Sequence, residues 1–526
     1  MSLNVAMSSA LSSLRNTQAN MGVTSQNVSN AQTPGYTRKS LTQEALPYGN
    51  GLGGVMTGKV ERAYNESLMR EMLRQQSLAA QTDITQSYLS RLEKTQGKPE
   101  DESSVAASLT QLRDAFVQLQ AKPESLEYQQ KVIRQAQSFT TTLNSTGQAY
   151  IDLRNEAQQQ IVEGVNQVNQ LLDTIASVDS AIFRAGNTGS ATIADLVDKR
   201  DESIRQLAQY MDITVTNRAD GTVLVMSQSG SMLVDRVANT LSTASCVPQA
   251  SDYYSPDGGG GIPPIRLGDP VSGLDITSSI RGGKLGALID LRDETIPRMQ
   301  GELDGLAHEV ATRFAGKDSP TRQIPGLHLF SDADGVSIPG DTSGAVDYAH
   351  PSTYVGFASR IRVSQKVLDQ PELVRYGDAG APVAPPAGGS NPPDVVAGDT
   401  LFLKNAVEHV FGATALDGKP HQAFNTGGLG ADPRRNLQST LPANLSLIDY
   451  AQQMLLKHSG EAGAATAAAS EAKTTSENMT LEYQNATGVS LDDEIVKLLT
   501  LQRSYAAASR VVTTIEQMYD ALFRAA

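Results

Sequence analysis

The stretch LLTLQRSYAAASRVVTTIEQMYDAL, residues 498–522, decides the fold at the C-terminal end of the chain. Its apolar and small residues recur in alternating steps of three and four, which predicts an amphipathic helix with an a/d seam. The seam consists of Leu498, Leu501, Tyr505, Ala508, Val512, Ile515, Tyr519 and Leu522. The same pattern is typical of a core-facing helix in a bundle. Because the seam reaches within four residues of the chain end, we expect it to pair with another helical end, of this chain or of a neighbouring copy.

The N-terminal residues 3–28 carry a thinner apolar stripe at similar spacing. The stripe consists of Met7, Leu11, Leu14, Met21 and Val28. An isolated helix with so little apolar surface is marginally stable. We therefore expect residues 3–28 and 491–522 to pair as a coaxial hairpin whose burial neighbouring copies complete. Before assembly we expect both ends to be largely disordered, because they bury too little surface to offset the entropy of ordering.

Composition limits the class of protein. The chain has 526 residues, a length that corresponds to roughly three or four domains. Only 39% of the residues are hydrophobic and 5% are aromatic, so we expect thin helical modules rather than one dense core. The net charge of −14 argues against nucleic-acid binding, which needs clustered Lys and Arg. The single cysteine, Cys246, excludes an intramolecular disulfide and a Cys-rich zinc site.

Targeting signals are also absent from the sequence. No apolar stretch reaches the length of about 18 residues that a membrane span needs, so we expect no membrane span. The first residues lack the basic region and the apolar core of a secretory signal. We expect the protein either to stay in the cytoplasm or to leave by a route that uses no cleaved signal.

The sequence patterns predict a chain that is mainly α with β-rich insertions and is divided into several discontinuous domains. Helical spacing covers about 65–96, 104–121, 124–184, 191–210, 284–315 and 445–526, with a break near Gly488. Alternation around Asp220-Gly221 predicts a β-hairpin, and the Gly-rich residues 46–58 predict a loop or hairpin. The expected domains are residues 1–64 with 490–526, residues 65–317 with 441–489 including a β-hairpin module near 211–280, and a β-rich inserted outer domain at 318–440. Within the last domain, residues 381–398 predict a flexible linker or surface loop.

Two motifs carry a family resemblance. NVSNAQTPGYTR, residues 27–38, resembles the signature that ends the first helix of the flagellar axial proteins, which comprise rod, hook and hook-associated proteins; the matching residues are Asn27, Asn30, Thr33, Pro34, Gly35 and Tyr36. The C-terminal helix is similar to the closing helix of that family, through Leu501, Gln502, Tyr505, Ala506, Ala508, Val512 and Thr513. Within the family the chain resembles the hook-associated members, through residues 51–62, 195–208 and 282–288.

The resemblance implies a structural subunit that joins hook to filament. It implies export through the flagellar type III channel without a cleaved signal, and terminal helices that form an inner tube around that channel. The implied partners are copies of the chain itself, the hook protein, the second junction protein and an export chaperone. The expected assembly interface comprises the two stripes together with Asn27, Asn30, Pro34, Gly35 and Tyr36.

Motifs for chemistry are weak, and we expect no catalytic residue, cofactor or metal. Gly53-x4-Gly58-Lys59 nearly matches a phosphate-binding loop, but Val60 stands where a Ser or Thr hydroxyl is required. Asp332-Ala333-Asp334-Gly335 resembles part of a calcium loop, but Phe330 would occupy the first ligand position, so a turn is the better interpretation. The six histidines are scattered. Asp198, Arg200 and Asp201 predict a salt-bridged helix face rather than a charged site.

Two alternatives remain at this point. One is a hook-type axial protein, against which the long helical stretch 65–210 argues. The other is a secreted scaffold that carries a wall-hydrolase domain, for which residues 318–440 are the available segment. That segment shows no paired-carboxylate motif.

Overall fold

A 60-residue helix, Leu126–Ala185, is the longest element of the structure. At 1.5 Å per residue it extends for about 90 Å. Its buried positions recur every three or four residues from Val132 to Ile182, so one side of the helix faces a continuous core. The computed structural model describes residues 3–48, 51–98, 101–186, 191–316, 326–342, 345–346, 351–377, 400–415, 418–432 and 434–525.

The helices are named in chain order. They are α1 (Leu3–Asn30), α2 (Glu66–Gln96), α3 (Val105–Ala121), α4 (Leu126–Ala185), α5 (Ala191–Ala208), α6 (Gly283–Asp290), α7 (Ile296–Phe314), α8 (Gln365–Asp369), α9 (Leu373–Tyr376), α10 (Leu401–Asn405), α11 (Leu447–Thr487) and α12 (Leu491–Ala525). A π-helical turn, Leu291–Thr295, joins α6 to α7, and a second one, Ala406–Val410, follows α10. Short 3₁₀ turns lie at Thr277–Ser279, Pro351–Tyr354 and Phe357–Ser359.

The strands are short apart from one hairpin. They are β1 (Lys39–Tyr48), β2 (Gly51–Arg62), β3 (Ile213–Asn217), β4 (Val223–Ser227), β5 (Met232–Asp235), β6 (Val237–Ala238), β7 (Leu241–Ser242), β8 (Tyr253–Tyr254), β9 (Gly261–Ile262), β10 (Arg266–Leu267), β11 (Leu274–Asp275), β12 (Phe330–Ser331), β13 (Asp341–Thr342), β14 (Ala345–Val346) and β15 (Arg362–Val363). β3 to β6 form an antiparallel sheet in chain order, which confirms the hairpin predicted around Asp220-Gly221.

Local sequence explains where the helices begin. Asn65 accepts a hydrogen bond from Leu68 N at the start of α2, and Ser104 accepts one from Ala107 N at the start of α3. Ser446 does the same for Asp449 N at the start of α11. Such caps satisfy backbone N–H groups that have no partner inside the helix. The predicted helices are therefore confirmed with boundaries close to those expected.

The two ends of the chain pair with each other. α1 and α12 pack side by side, and the β1–β2 hairpin packs along α1. Tyr519 near the end of α12 donates to Asn4, while Asn27 near the end of α1 donates to Glu494 at the start of α12. The two helices are therefore antiparallel, which confirms the predicted pairing of the terminal helices.

The helical body joins α2 to α11 and α4 to α3, α5, α6 and α7. Aromatic side chains from the segment after α7 extend its core. Phe116 of α3 lies 5.5 Å from Phe314 of α7, between ring centroids, and Phe314 lies 5.7 Å from Phe330 and 5.5 Å from Phe411. Segments that follow α7 are thus packed onto the body by hydrophobic contact.

Residues 318–440 contain less β structure, in their described part, than predicted. Strands β12 to β15 are two residues long, and α8, α9 and α10 are helices of four or five residues. The apolar residues of this segment are buried against α4 and α7 instead of in a long strand ladder. The linker predicted at 381–398 lies outside the described residues. The division into domains stays a prediction.

Glu302 of α7 is a fully buried carboxylate that links α7 to α11. Its carboxylate accepts from Ser439 Oγ at 2.6 Å and Lys457 Nζ at 2.7 Å, and lies 2.7 Å from His458 Nε2 and 3.2 Å from Arg298 Nη1. Burial alone would raise the pKa of Glu302, but the hydrogen bonds and charges of His458, Arg298 and Lys457 outweigh burial and lower it to about 2. The ionised form is therefore the one that holds the two helices together.

Glu302 should make the stability of the body depend on pH. Because its pKa falls from 4.5 to about 2 on folding, its stabilisation is complete above pH 4.5 and is lost as the pH falls through about 2. This difference corresponds to about 3 kcal/mol. Urea unfolding measured from about pH 5 down to about pH 2 should show that Glu302→Gln removes a pH dependence of that size. Glu477→Gln, an exposed change on α11, is the control and should follow the parent chain. A Glu302→Gln chain with the parent's pH profile would contradict this assignment.

Candidate assembly interface and the cluster that anchors it

The predicted seam of α12 lies largely against α1. Ile515 is buried with 6% of its surface exposed. The half-buried members of the seam are Leu498, Leu501, Ala508, Val512 and Tyr519. Tyr505, with 42% exposed, and Leu522, with 58% exposed, lie at its margin. The three–four spacing therefore located the inward side of α12 correctly, while the assembly role of these residues stays a prediction.

The buried side of α1 is polar, in contrast to the apolar stripe read from the sequence. Its buried residues are Ala10, Asn16, Thr17, Asn20, Val23, Thr24 and Asn27. The apolar residues Met7, Leu14, Met21 and Val28 are half-buried, and Leu11 is 41% exposed. The buried positions of α1 recur every three or four residues, but small and polar side chains occupy most of them. Apolar periodicity gives no signal for buried polar side chains, so these positions of α1 were not predicted.

Part of this polar stripe is satisfied within its own helix. Thr17 Oγ1 donates to Ser13 O at 2.8 Å, and Asn20 Nδ2 donates to Asn16 O at 3.0 Å. Among the described residues, Asn16 Oδ1 and Thr24 Oγ1 are buried without a hydrogen-bond partner. Buried polar atoms without partners cost free energy. These atoms weaken the packing of the buried side of α1, which the β1–β2 hairpin also contacts, through Val55 N to Ser12 Oγ at 3.2 Å and Asn27 Nδ2 to Lys39 O at 2.8 Å.

Apolar side chains remain exposed on the outer sides of α12. Besides Leu522 at the margin of the seam, they include Ile495 at 49%, Val496 at 63%, Leu499 at 51%, Val511 at 49%, Met518 at 48% and Phe523 at 80%. Single exposed apolar residues are ordinary on protein surfaces, but many on one helix indicate an interaction surface. The terminal pair thus has apolar surface left for another molecule to cover.

Asn27 is the centre of a group of polar side chains, called here the anchoring cluster. The cluster consists of Asn27, Tyr36, Thr37, Arg38, Lys39, Arg62, Asp195, Asp198, Asp201 and Glu494. Asn27 Oδ1 accepts from Tyr36 Oη and from Lys39 N, both at 3.0 Å. Asn27 Nδ2 donates to Lys39 O at 2.8 Å and to Glu494 Oε2 at 3.2 Å. One amide therefore joins α1, the start of β1 and the start of α12.

The turn after α1 positions Tyr36 and the residues that follow it. Thr33 N donates to Asn30 O at 2.9 Å, and Tyr36 N donates to Thr33 O at 3.2 Å. Gly35 has φ of +81°, a conformation that L side chains rarely adopt. Pro34 is exposed, and Asn30 Nδ2 bonds back to Gln26 O of its own helix. Pro34, Gly35 and Asn30 thus shape the turn, whereas Asn27 and Tyr36 make the contacts across it.

Carboxylates of α5 complete the anchoring cluster. Asp198 accepts from Thr37 Oγ1 at 2.6 Å and from Arg62 Nη1 at 2.9 Å, and Asp201 pairs with Arg62 Nη2 at 2.6 Å. The fully buried Lys39 amine pairs with Asp195 and lies 3.5 Å from Asp198. Burial raises the pKa of Asp198, and the hydrogen bond from Thr37 and the charges of Arg62 and Lys39 oppose that effect. The sequence resemblance used residues 27–38 and 195–201 separately; the structure brings them into contact.

Arg200 borders the anchoring cluster, with its Nη2 3.4 Å from Asp201 Oδ1, and extends from there to α4. It pairs with Asp179 of α4 at 3.1 Å and donates to Gly221 O at 2.8 Å. Asp198, Arg200 and Asp201 therefore all form ion pairs, which confirms the predicted salt-bridged helix face. The cluster is linked through Arg200 to the end of α4.

The motifs considered for chemistry fold as ordinary backbone. Residues 53–60 lie in strand β2, and Asp332 O accepts from Gly335 N at 2.9 Å in a turn. In the described part of the chain, no three His, Cys, Asp or Glu side chains are arranged to hold a metal ion. None of the described helices is both apolar enough and long enough to cross a membrane.

Comparison with known proteins gives matches to two family models and to individual relatives. Residues 89–317 match the family model described as the flagellar hook-associated protein FlgK helical domain, and residues 482–525 match that of the flagellar basal body rod FlgEFG protein C-terminal region. The chain is 23% identical to flagellar hook-associated protein 1 of Bacillus subtilis (strain 168), over 96% of this chain and 94% of the relative. It is 22% identical to flagellar hook-associated protein 1 of Escherichia coli (strain K12), over 98% of both chains.

A solved structure is also similar over part of the chain. It is the flagellar hook junction protein FlgK from Burkholderia pseudomallei, with 20% identity and a TM-score of 0.42. The match covers 52% of this chain and 46% of that one.

Asn27 and Asn30 offer a matched pair of tests for the anchoring cluster. Asn27→Ala removes the side-chain partner of the Lys39 N–H and C=O groups in a buried site and leaves the Glu494 carboxylate with Arg38 alone, so it should lower the free energy of unfolding by about 2 kcal/mol. Asn30→Ala removes a bond within one helix and should change it by less than about 0.5 kcal/mol. Urea unfolding measures both, and hydrogen exchange at the Lys39 amide reports the local effect. Equal losses in the two variants would show that Asn27 has no special anchoring role.

Proposed function

We propose, on the premise that the chain belongs to the family of flagellar hook-associated protein 1, that it is a structural subunit of the bacterial flagellum joining hook to filament. The observation that carries the proposal is the antiparallel α1–α12 pair, which is anchored to the helical body and keeps apolar side chains exposed. A structural subunit needs such a surface, because association is driven mainly by burial of apolar area.

We propose that neighbouring copies cover the outer sides of the terminal pair. Val496 and Phe523, at 63% and 80% exposed, have most surface to lose. Burying one such side chain contributes about 1.5–3 kcal/mol, so several per copy can offset the freedom lost on association. Leu11 and the half-buried Met7, Leu14, Met21 and Val28 of α1 belong to the same proposed interface.

The polar inner side of α1 supports a further part of the proposal. Because Asn16 Oδ1 and Thr24 Oγ1 are buried without partners among the described residues, α1 is packed less stably in a free copy than a helix whose buried polar atoms are all paired. Covering the apolar outer sides of the terminal pair would then stabilise the pair and the assembly together. This is the physical basis for the expectation that both ends become fully ordered on assembly.

Partners and location follow from the family as proposals for this chain. The partners are copies of itself, the hook protein, the second junction protein and, before secretion, an export chaperone. The place is the extracellular flagellum, reached through the flagellar export channel without a cleaved signal. The proposed role involves no catalysis and no cofactor. A hook-type axial subunit is less well supported, since residues 89–317 match the helical domain of the hook-associated protein.

Deletion of the gene tests the role directly. Cells without this chain should build hooks that carry no filament and should shed filament subunits into the medium, because the hook then ends without a surface that the filament can join. Electron microscopy of the cells and immunoblots of the medium measure both effects. Complementation with the intact gene is the control, and normal filaments in the deletion strain would refute the proposed junction role.

Ile515 and Met518 separate pairing within a copy from contact between copies. Ile515 is 6% exposed and faces α1, whereas Met518 is 48% exposed on an outer side of the same helix. Ile515→Ser should speed proteolysis of the terminal helices in the free chain, because it removes about 2 kcal/mol of apolar burial. Met518→Ser should leave that proteolysis unchanged and should reduce the amount of chain recovered in isolated flagella. If Met518→Ser is incorporated as well as the parent chain, the outer side of α12 is not the contact proposed here.

A further inference from the structure

An exposed aromatic side chain marks a pocket at the end of α4. Phe183 is 54% exposed and lines a cavity of about 320 Å³ together with Asp179, Ser180, Arg184, Thr222 and Arg236. The Arg236 guanidinium lies over the Phe183 ring, 5.4 Å from its centroid. This group of residues is called here the α4-end pocket. Its size suits one or two apolar side chains of a partner.

The α4-end pocket carries a positive charge on an acidic protein. Arg236 pairs with Asp220 at 3.3 Å, and Asp179 pairs with Arg200 at 3.1 Å, so these charges are balanced. Arg184 is exposed, and no carboxylate of the described residues lies within ion-pair distance of it. Since the whole chain has a net charge of −14, a second copy offers acidic surface that can pair with Arg184.

The first turn of α12 has the complementary character and is called here the acidic turn. Leu491 is 41% exposed, Ile495 49% and Val496 63%. The exposed carboxylates Asp492 and Asp493 lie between Leu491 and Ile495 in the sequence. Glu494 points the other way, with its carboxylate buried against Arg38 Nε at 2.7 Å. The acidic turn therefore presents apolar and anionic groups together, on a helix that the anchoring cluster holds in place.

The two features are connected through the anchoring cluster. Asp179 of the α4-end pocket contacts Arg200 of α5, and Arg62 bridges Asp198 and Asp201 on the next part of α5. Thr37 and Arg38 then connect α5 to Glu494 at the acidic turn. Several side chains of the anchoring cluster therefore stand between the two features in this chain of contacts, and the contact proposed below is one between two copies.

We propose that the acidic turn of one copy docks into the α4-end pocket of the next copy, with Leu491 and Ile495 against Phe183 and Asp492 against Arg184. This proposal rests on the proposed self-assembly and names a contact outside the coiled-coil packing of the terminal helices. The contact is heterologous, since it joins two different surfaces. Repetition of a heterologous contact generates a ring or an open helical array, which is the arrangement that a tubular junction needs.

A cysteine pair tests this contact in the assembled flagellum. In full-length chains with Cys246→Ser, which removes the single native cysteine, Ser180→Cys and Leu491→Cys should form a disulfide between copies after mild oxidation of isolated flagella. Asn166→Cys with Leu491→Cys is the matched control, because Asn166 is exposed on α4 but lies about 21 Å along the helix from residue 180. A dimer band in the first pair and only background in the control supports the contact.

Charge reversal in the same cysteine background gives the second measurement. Arg184→Glu should lower the yield of the Ser180→Cys/Leu491→Cys dimer about fivefold, and addition of Asp492→Arg should restore it. Chains that are incorporated into flagella but give no more dimer than the control overturn this inference and leave the junction role intact. If the parent chain, with its native Cys246 and no substitution, is absent from isolated flagella, the junction role is overturned and this inference with it.

Discussion

The hydrogen bonds of Asn27 are the constraint on which the arrangement of the chain ends depends. A single buried side chain satisfies Tyr36 Oη, both backbone groups of Lys39 and the carboxylate of Glu494. Asparagine suits this position because its amide carries two donors and an acceptor with two lone pairs. Aspartate would place a second anion beside Glu494, and leucine would leave several buried polar groups unpaired. The direction in which α1, β1 and α12 leave the body therefore depends on one amide.

Buried charges make this arrangement difficult to replace piece by piece. Lys39 is fully buried and depends on Asp195 and Asp198, and Arg62 depends on Asp198 and Asp201. Loss of one partner leaves a buried charge uncompensated, which typically costs about 3–5 kcal/mol. The body has a second centre of the same kind at Glu302, where three basic side chains surround one carboxylate. Both centres join segments far apart in sequence, and so they fix how the segments of a discontinuous chain are assembled.

Sequence patterns predicted the elements well and their contacts less well. The seam around Ile515 and the caps at Asn65 and Ser104 are local signals, because periodicity and capping depend on residues a few positions apart. The contact between Asn27 and Glu494 spans 467 residues, and no local pattern encodes it. The polar inner side of α1 at Asn16, Thr17 and Asn20 was missed because polar side chains carry no signal of burial. In residues 318–440 the predicted β structure is reduced to two-residue strands such as Arg362–Val363, and neighbours such as Ile361 are buried in the core shared with the helices.

The unequal faces of the terminal helices follow from what a polymerising subunit requires. The apolar seam of α12 lies against α1, but the exposed apolar residues on the outer sides of α12 take no part in that contact. Here the inner side of α1 is lined by Thr17, Asn20 and Thr24, while Leu11 and the outer residues of α12 stay exposed. In the proposed assembly, this exposed apolar surface is the part that contact between copies buries. The anchoring cluster fixes the direction of α1 and α12. In the proposed assembly, the exposed surface of α12 is therefore presented to the next copy in one orientation.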